Sequence, residues 1–242
     1  MKATGLAGAL GDVFFPRGCV ACGDVVEESP LRHICRSCAS QIDVPDGAVC
    51  RICGHPFAGL VVGERTCPHC EGLEPAFARG STAVLCRGPA RSLVHELKYR
   101  GGRYILEDVE TLFARAPTVL EMARDAVLVP VPLHPRKERE RGYNQSALLA
   151  ERLARAAGGK TRVENLLARV LDTPSQTAFD RRARLANLKN AFALRPDAAI
   201  TGGHHYVLVD DVFTTGSTLN SCARVLRHAG VLNLDVVTFG HG

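Results

Sequence analysis

Two adjacent carboxylates, Asp210 and Asp211, lie within the stretch YVLVDDVFTTGST at positions 206–218. Carboxylates at the end of a strand can accept hydrogen bonds from sugar hydroxyls or hold a hydrated Mg²⁺. A cluster of small and hydroxyl residues follows them: Thr214, Thr215, Gly216, Ser217 and Thr218. Such a cluster can turn tightly and leave its backbone N–H groups available to an anion. The two features together predict a ligand with both a phosphate and a diol, such as a ribose 5-phosphate.

The residues on either side of the acids predict a buried strand followed by a helix. The near-continuous apolar run at 207–209 and 212 is typical of a strand that is covered on both faces. Beyond the glycine, apolar residues recur at helical spacing: Leu219, Cys222, Leu226 and Ala229. The alternative is an ordinary capped helix beside a surface acid pair. It is disfavoured because a cap needs one hydroxyl and does not need two carboxylates on a buried strand.

Eight of the ten cysteines fall into four C-x-x-C pairs: Cys19/Cys22, Cys35/Cys38, Cys50/Cys53 and Cys67/Cys70. Intervals of 12, 11 and 13 residues separate the pairs, which is within or close to the spacing of zinc ribbons. The motifs CVACG and CRICG begin two similar units that are displaced by 31 residues. This repeat predicts two structural Zn²⁺ ions, one held by the first two pairs and one by the last two.

Other roles for the cysteine pairs are less consistent with the sequence. Structural disulfides suit secreted proteins, and no export signal is visible, while a thioredoxin-like redox motif would occur once rather than four times. An interleaved pairing, or a single occupied site, remains open because spacing predicts the type of ligand better than its pairing. His33, His55 and His69 lie near the knuckles and are expected to surround the zinc sites or to face solvent.

The composition predicts a soluble, cytoplasmic protein with no membrane insertion. The 242 residues are 46% hydrophobic, which is enough for one full α/β domain and a smaller module. No window approaches the run of about 18 apolar residues that a membrane span requires. The formal net charge is +5, but eight thiolates and two Zn²⁺ would reduce it to about +1. Overall basicity is therefore weak evidence for nucleic-acid binding.

The segment between the cysteines and the acids predicts a helix, a strand, a basic loop and a second helix. GPARSLVHELKYRGG at 88–102 has a helical pattern, and Lys98 near its end could be solvated or could face an anion. An apolar strand is predicted from Val127 to Leu133, a Pro- and Arg-rich loop follows, and a helix begins at about Ser146. The loop carries four basic residues: Arg136, Lys137, Arg139 and Arg141. Alone it would be a solvated turn, but after a parallel strand it can face the phosphate loop of another strand.

The stretch at 206–218 resembles the phosphoribosyl pyrophosphate (PRPP) signature of type I phosphoribosyltransferases, which is an apolar strand, two acids and T-T-G-x-T. The resemblance implies that Asp210 and Asp211 contact the ribose hydroxyls and take part in catalysis. It also implies that Thr214 to Thr218 hold the 5-phosphate. Mg²⁺ would bridge the diol and the pyrophosphate and neutralise charge there.

Nearly the whole chain, from Phe15 to Thr238, resembles the ComF family, whose members are linked to DNA uptake in natural transformation. Besides the cysteine knuckles and the PRPP signature, the resemblance is carried by HELKYRG at 95–101, VPVPLHPRKERERGYNQ at 129–145 and RVLDTPSQTAFDRRARLANLKNAF at 169–192. The final FGHG is less typical of the family and is expected to lie past the last strand.

The ComF resemblance implies an α/β fold with two parts. A type I phosphoribosyltransferase-like parallel sheet flanked by helices would occupy 79–242, and a small cysteine-rich double zinc ribbon with an N-terminal helix would precede it at 1–78. The loop after Leu133 would bind the pyrophosphate of PRPP through three residues: His134, Arg136 and Lys137. The segment from Thr173 to Arg184 would be a mobile flap that excludes water, with Arg184 as a catalytic residue.

Three functions are consistent with these features. The first is a ComF-like protein that binds PRPP or a related phosphoribosyl ligand with Mg²⁺ and acts on incoming single-stranded DNA, together with a competence helicase or other DNA-processing proteins. The second is a phosphoribosyltransferase of nucleotide salvage or biosynthesis that uses a small nitrogenous acceptor. The third is a non-enzymatic zinc-ribbon adaptor. No segment indicates a base-recognition hood, so the sequence does not decide whether a reaction occurs or which acceptor it uses. It does not indicate the oligomeric state either.

Overall fold

A five-stranded parallel sheet lies at the centre of the computed structural model, which describes residues 17–57, 65–171 and 191–242. The strands in chain order are β1 (Gly80–Leu85), β2 (Val127–Pro130), β3 (Arg162–Val163), β4 (Leu167–Arg169), β5 (Phe192–Leu194), β6 (His205–Phe213) and β7 (Asn233–His241). The sheet order is β1-β7-β6-β2-β3 with every pair parallel, and β4 and β5 form a separate antiparallel pair. The acid pair on β6 therefore lies between β7 and β2.

Helices make the crossovers that parallel strands require, because the chain must return to the same end of the sheet before each new strand. They are α1 (Arg36–Ala39), α2 (Gly88–Tyr99), α3 (Leu106–Ala114), α4 (Pro117–Ala123), α5 (Pro135–Arg141), α6 (Gln145–Ala157) and α7 (Ser217–His228). Short 3₁₀ turns occupy Pro68–Cys70 and Arg103–Ile105. The crossover after β6 is α7, and the one after β2 contains α5 and α6.

Alternating side chains along β6 belong to two different cores. Val207 and Val209 share one core with residues of α2, α3, α4 and α6, whereas Tyr206 and Leu208 share the other with α7 and the β4–β5 pair. All four side chains are buried. Cover on both faces explains the continuous apolar run of this strand. The prediction of a parallel sheet flanked by helices is confirmed.

The cysteine-rich segment covers the outer edge of β1. The backbone N–H of Gly80 donates to the carbonyl of Arg51 at 2.8 Å, and that of Leu85 donates to the carbonyl of Asp43 at 2.9 Å. A Cβ on Gly80 would lie only 2.2 Å from the carbonyl oxygen of Ile52, so only glycine permits this approach. Because β1 ends the sheet order, this cover protects a strand edge that would otherwise be open.

The two halves of the cysteine-rich segment contribute to opposite cores. Cys19 and Cys35 belong to the core that contains α3, whereas Cys50 and Cys53 belong to the core that contains α7. The cysteine-rich segment therefore packs on both sides of the sheet. The division of the chain at residues 78 and 79 stays a prediction.

Three boundaries differ from the sequence-based prediction. β2 ends at Pro130 rather than Leu133, since Pro132 has no N–H to continue the ladder. Residues 135–141 form helix α5 instead of a loop, because Pro135 occupies its first turn and His134 Nδ1 accepts from the N–H of Arg136 at 3.3 Å. The FGH of the C-terminus belongs to β7, where His241 pairs with Phe213 of β6 and with Leu85 of β1.

Some predictions fall on other parts of the chain. The N-terminal helix and the flap from Thr173 to Arg184, including the catalytic role predicted for Arg184, lie outside the described residues. Within the described ranges, no helix is long and apolar enough to cross a membrane.

Candidate functional site

The eight knuckle cysteines form two clusters of four thiols. One contains Cys19, Cys22, Cys35 and Cys38, the other contains Cys50, Cys53, Cys67 and Cys70, and within each the Sγ atoms lie within 4.8 Å of one another. The Sγ–Sγ distance is 3.6 Å for Cys22–Cys35 and 3.4 Å for Cys53–Cys67. A tetrahedral Zn²⁺ with Zn–S bonds of about 2.3 Å separates its sulfur atoms by about 3.8 Å, so both clusters fit this ion. The sequential pairing is confirmed over the interleaved one.

Backbone donors are directed at the sulfur atoms of the second cluster. The N–H of His55 donates to Cys53 Sγ at 3.4 Å, and the N–H of Cys67 donates to Cys50 Sγ at 3.5 Å. Hydrogen bonds to sulfur favour the thiolate, which is the form that binds zinc. The chain thus provides two Cys₄ sites with the ligand chemistry of structural zinc.

The acid pair lies at the carboxyl end of β6 and is held by two other elements. Asp211 is buried, and its Oδ1 lies 2.8 Å from Lys98 Nζ of α2 while its Oδ2 accepts from Gln145 Nε2 at 2.8 Å. Asp210 Oδ1 accepts from the Ser146 hydroxyl at 2.9 Å and from the N–H of Asp211 at 2.9 Å. The two carboxylates therefore have separate sets of partners at the same end of the sheet.

The surroundings of the acids change the protonation of Asp210 and Lys98. Burial, and next the neighbouring Asp211 carboxylate, raise the pKa of Asp210 to about 7, against the opposing effect of the Ser146 hydrogen bond. Burial alone would lower the pKa of Lys98, but the Asp211 carboxylate more than offsets it, so the net shift is upward. Lys98 therefore stays protonated at neutral pH, whereas Asp210 gains or loses its proton near neutral pH.

The predicted phosphate loop connects β6 to α7 and encloses a small open cavity with Asp210. Gly216 has φ +68°, and a Cβ there would lie 2.7 Å from Phe213 Cζ and 2.9 Å from Leu73 Cδ2. Both the conformation and the packing require glycine. The Thr215 and Ser217 hydroxyls lie 2.8 Å apart, at the first turn of a 12-residue helix whose N-cap is Gly216. Gly216 has no side chain to cap this turn, and the N–H of Ser217 donates weakly to Thr215 Oγ1 at 3.4 Å. N–H groups at such a helix start can also donate to an anion.

The basic segment predicted to bind pyrophosphate follows the strand beside β6. The N–H of Val131 donates to the carbonyl of Val209 at 2.9 Å, which places the end of β2 next to the acid pair. His134 caps α5, Arg136 Nε lies 3.1 Å from Glu140 Oε1, and Lys137 is in the first turn. The roles of these three residues toward a ligand stay predictions.

The structure adds Gln145 and Ser146 to the residues that sequence reasoning had placed at the site. Both are buried polar residues at the start of α6, where Asn144 Oδ1 accepts from the N–H of Ser146 at 3.1 Å. Polar residues that open a helix after a parallel strand are the signal that could have indicated them. Lys98 is not a solvated helix end, because it pairs with the Asp211 carboxylate, and its contact with a ligand anion stays a prediction.

Comparison with known proteins gives relatives that cover most of the chain. The double zinc ribbon domain family matches residues 10–71. DNA utilization protein YhgH of Escherichia coli K12 is 33% identical over 84% of this chain and 88% of its own. Competence protein F of Haemophilus influenzae is 29% identical over 92% of this chain and 96% of its own. Competence protein ComFC of Bacillus subtilis is 29% identical over 83% of this chain and 80% of its own.

Among solved structures, a hypoxanthine phosphoribosyltransferase from Staphylococcus aureus is 14% identical and covers 55% of this chain and 62% of its own, with a TM-score of 0.36. The sequence relatives cover 83–92% of this chain and 80–96% of their own. On their identity and coverage, the chain belongs to the ComF family of competence and DNA-utilization proteins.

Proposed function

We propose that this protein binds PRPP or a related phosphoribosyl ligand with Mg²⁺ at the carboxyl end of β6, and that it acts in the cytoplasm on single-stranded DNA during natural transformation. The observation that carries the proposal is the acid pair, positioned by Lys98, Gln145 and Ser146 directly before the Gly216 loop. The printed names of the relatives, competence protein and DNA utilization protein, support the DNA role.

Each part of the ligand has a matching group in the proposed complex. The ribose hydroxyls would donate to Asp210 and Asp211, and the 5-phosphate would accept from backbone N–H groups at 214–218. The basic residues of α5 would face the pyrophosphate, because β2 and β6 are neighbours in the sheet. Mg²⁺ would supply charge neutralisation between diol and pyrophosphate, with the acids as oxygen ligands or acceptors of its water.

The direct test is calorimetric titration of the zinc-loaded protein with PRPP, in Mg²⁺ and in EDTA. The double variant Asp210→Asn with Asp211→Asn should bind at least about tenfold more weakly, because hydrogen bonds to charged groups contribute about 1.5–3 kcal/mol each. Asp197→Asn is the matched control, since this exposed carboxylate pairs with Arg195 away from β6. Ribose 5-phosphate and pyrophosphate, titrated separately, report which half of the site binds.

Binding and reaction are separated by one further assay. Release of pyrophosphate from PRPP, measured across a panel of nucleobases and single-stranded DNA, would show a phosphoribosyltransferase. Binding without release would leave PRPP as a bound effector. If the double variant folds and binds PRPP as the parent does, the assignment of the diol to the acid pair is wrong. If the parent does not bind PRPP at all, the zinc-ribbon adaptor becomes the better account.

A further inference from the structure

Three histidines from separate parts of the chain meet beside the second cysteine cluster. His55 is two residues after Cys53, His69 lies between Cys67 and Cys70, and His241 is the last residue of β7. Their ring centroids form a nearly equilateral triangle with sides of 4.9, 4.7 and 4.9 Å. The ligand atoms that the three rings offer all lie within 4.8 Å of one another.

The size of this triangle suits one transition-metal ion. With Zn–N bonds of about 2.1 Å and tetrahedral angles, the centres of three coordinated imidazole rings are about 5 Å apart. The rings are inclined to each other by 51°, 51° and 79°, so they do not form a parallel stack. Small ring rotations would bring the three nitrogens to bonding distance of a common point.

Two nitrogen atoms of the cluster lack the partner that burial demands. Within the described part of the chain, His55 Nδ1 and His241 Nε2 are buried and have no hydrogen-bond partner. The His241 residue is only 4% exposed, so bulk solvent does not reach its ring. Buried polar atoms are almost always satisfied, because an unpaired one costs free energy. A neutral imidazole nitrogen is also the commonest metal ligand in proteins, so an ion would satisfy both atoms at once.

Hydrogen bonds hold the backbone of two of the three histidines in place. The carbonyl of His241 accepts from the N–H of Cys86 at 2.7 Å, and the carbonyl of His55 accepts from the N–H of Cys50 at 2.8 Å. The ring of Phe213 stacks on that of His241, with centroids 5.5 Å apart and a 12° tilt, and so shields one side of the cluster. His69 is exposed, which leaves a route for an ion from solvent.

We propose that His55, His69 and His241 bind one divalent first-row transition-metal ion, with Zn²⁺ the first choice, in addition to the two Cys₄ zincs. Three neutral nitrogen ligands suit Zn²⁺, Ni²⁺ or Cu²⁺, and water would complete the coordination. The ion would link both knuckles of the second cysteine cluster to the end of β7. That strand end pairs with Phe213, which directly precedes the Thr214–Thr218 loop. The inference does not depend on the proposed PRPP function.

Metal counting on the full chain without an affinity tag tests the proposal. After equilibrium dialysis against buffered micromolar zinc, elemental analysis should give three zinc ions per chain for the parent and two for His241→Ala. His69→Gln is a second variant with the same expectation, and its exposed position leaves no hole in the core. The control is His228→Ala, which should retain three, because His228 is an α7 residue whose Nδ1 contacts the carbonyl of its own helix.

Cobalt identifies the ligands of the extra ion. Co²⁺ added to protein with two zinc ions should give the visible absorption of a nitrogen- and oxygen-ligated ion, without the thiolate-to-cobalt charge-transfer band of a Cys₄ site. The absorption should disappear in His241→Ala and in His69→Gln. A parent that never exceeds two zinc ions, an unchanged count in both variants, or a cobalt spectrum with the thiolate band would each overturn the third site.

Discussion

Asp210 and Asp211 are adjacent in the sequence, yet their partners assign them different tasks. Both oxygens of Asp211 are engaged, one by Lys98 and one by Gln145, so this carboxylate is fixed in place and keeps its charge balanced. Among the described residues, Asp210 accepts two hydrogen bonds, both through Oδ1, and its pKa is raised to about 7 by burial and by the Asp211 carboxylate. We infer that Asp210 is the member of the pair whose charge changes when a ligand binds.

This difference predicts that PRPP affinity increases with pH. Below about pH 7 the free protein holds a proton on Asp210, whose ordinary pKa is 3.8. Ribose hydroxyls and Mg²⁺ favour the carboxylate, so binding must release that proton and becomes easier as the pH rises from 6 to 8. Calorimetry in buffers of different ionisation enthalpy should detect the release at pH 6.5. Asp210→Asn should remove it.

Asp210→Asn also serves as the control for titration of the ligand itself, since the phosphate of PRPP gains or loses a proton near pH 6. Any pH dependence that survives in Asp210→Asn belongs to the ligand, and identical profiles for parent and variant would contradict the assignment.

The pH dependence of folding stability gives an independent check on the pKa of Asp210. Because the folded pKa lies above the unfolded one, the stabilisation from protonated Asp210 is complete below about pH 4 and is lost as the pH rises through 7.

At the scale of elements, local sequence predicts the strand that carries the acids and the helix that follows it, but it mispredicts the end of β7 and the helix α5. β6 and α7 follow from the apolar run and the helical spacing of residues 206–229. The end of β7 could not be read locally, because His241 is in the ladder only through Phe213 and Leu85. The start of helix α5 is indicated locally by His134 and Pro135, but the many charged residues after them favoured a solvated loop.

The candidate site divides in the same way. The acids, the glycine loop and the cysteines could be predicted because each is a short motif with its own chemistry. Gln145 and Ser146 could not, because only the neighbouring positions of β2 and β6 bring α6 to the acids. The histidine cluster needs three segments that are far apart in the chain, and two of its members were expected to surround the zinc sites or to face solvent.

Asp108 of α3 connects the first cysteine cluster to the sheet domain. It is 1% exposed, and its carboxylate accepts from the backbone N–H of Arg32 at 2.5 Å and from that of His33 at 2.9 Å. Asp108→Ala removes the acceptor of both backbone N–H groups, which are only partly buried. The free energy of unfolding should therefore fall by about 2 kcal/mol, because hydrogen bonds to a charged group contribute about 1.5–3 kcal/mol. Urea unfolding at constant free zinc measures the change. Zinc release to a colorimetric chelator should also become faster, because the loop between Cys22 and Cys35 loses its anchor.

Glu121→Ala is the matched control for Asp108→Ala. Glu121 is an exposed acid on the neighbouring helix α4, so its removal should change stability by less than about 0.5 kcal/mol. If Asp108→Ala is as stable as this control and keeps its zinc equally long, the contact between α3 and the first cysteine cluster does not hold the two parts together.

At the scale of the whole molecule, charge distribution matters more than net charge. With zinc bound the net charge is about +1, so attraction for DNA must come from a local surface. Helix α5 supplies such a surface through Arg136 and Arg139, which are exposed, and Lys137, which is half-buried. Beside it, Tyr99 is 69% exposed, and the Arg141 guanidinium lies 5.8 Å from the centre of its ring. Cations next to an exposed ring can hold the phosphates and stack the bases of a single strand.

We therefore expect moderate, sequence-independent binding of single-stranded DNA that weakens steeply with salt. Lys137→Gln with Arg139→Gln should make the slope of log affinity against log salt shallower by about 1.4, since each phosphate contact on a single strand contributes about 0.7. The matched control is Arg124→Gln with Lys160→Gln, because these residues precede β2 and β3 at the opposite end of the sheet. Fluorescence anisotropy with a labelled oligonucleotide over a range of salt concentrations measures the slope for the α5 variant and for its control.

Tyr99→Ala distinguishes stacking from charge on the same surface. Loss of one stacked base should cost about 1–3 kcal/mol of binding free energy and leave the salt slope unchanged, because no phosphate contact is removed.

PRPP should compete with the oligonucleotide if the α5 surface serves both ligands. Binding that is insensitive to salt, equal slopes for the α5 variant and its control, or no binding at low salt would contradict direct DNA contact through α5. The proposed role in DNA uptake would then have to be exerted through a partner protein.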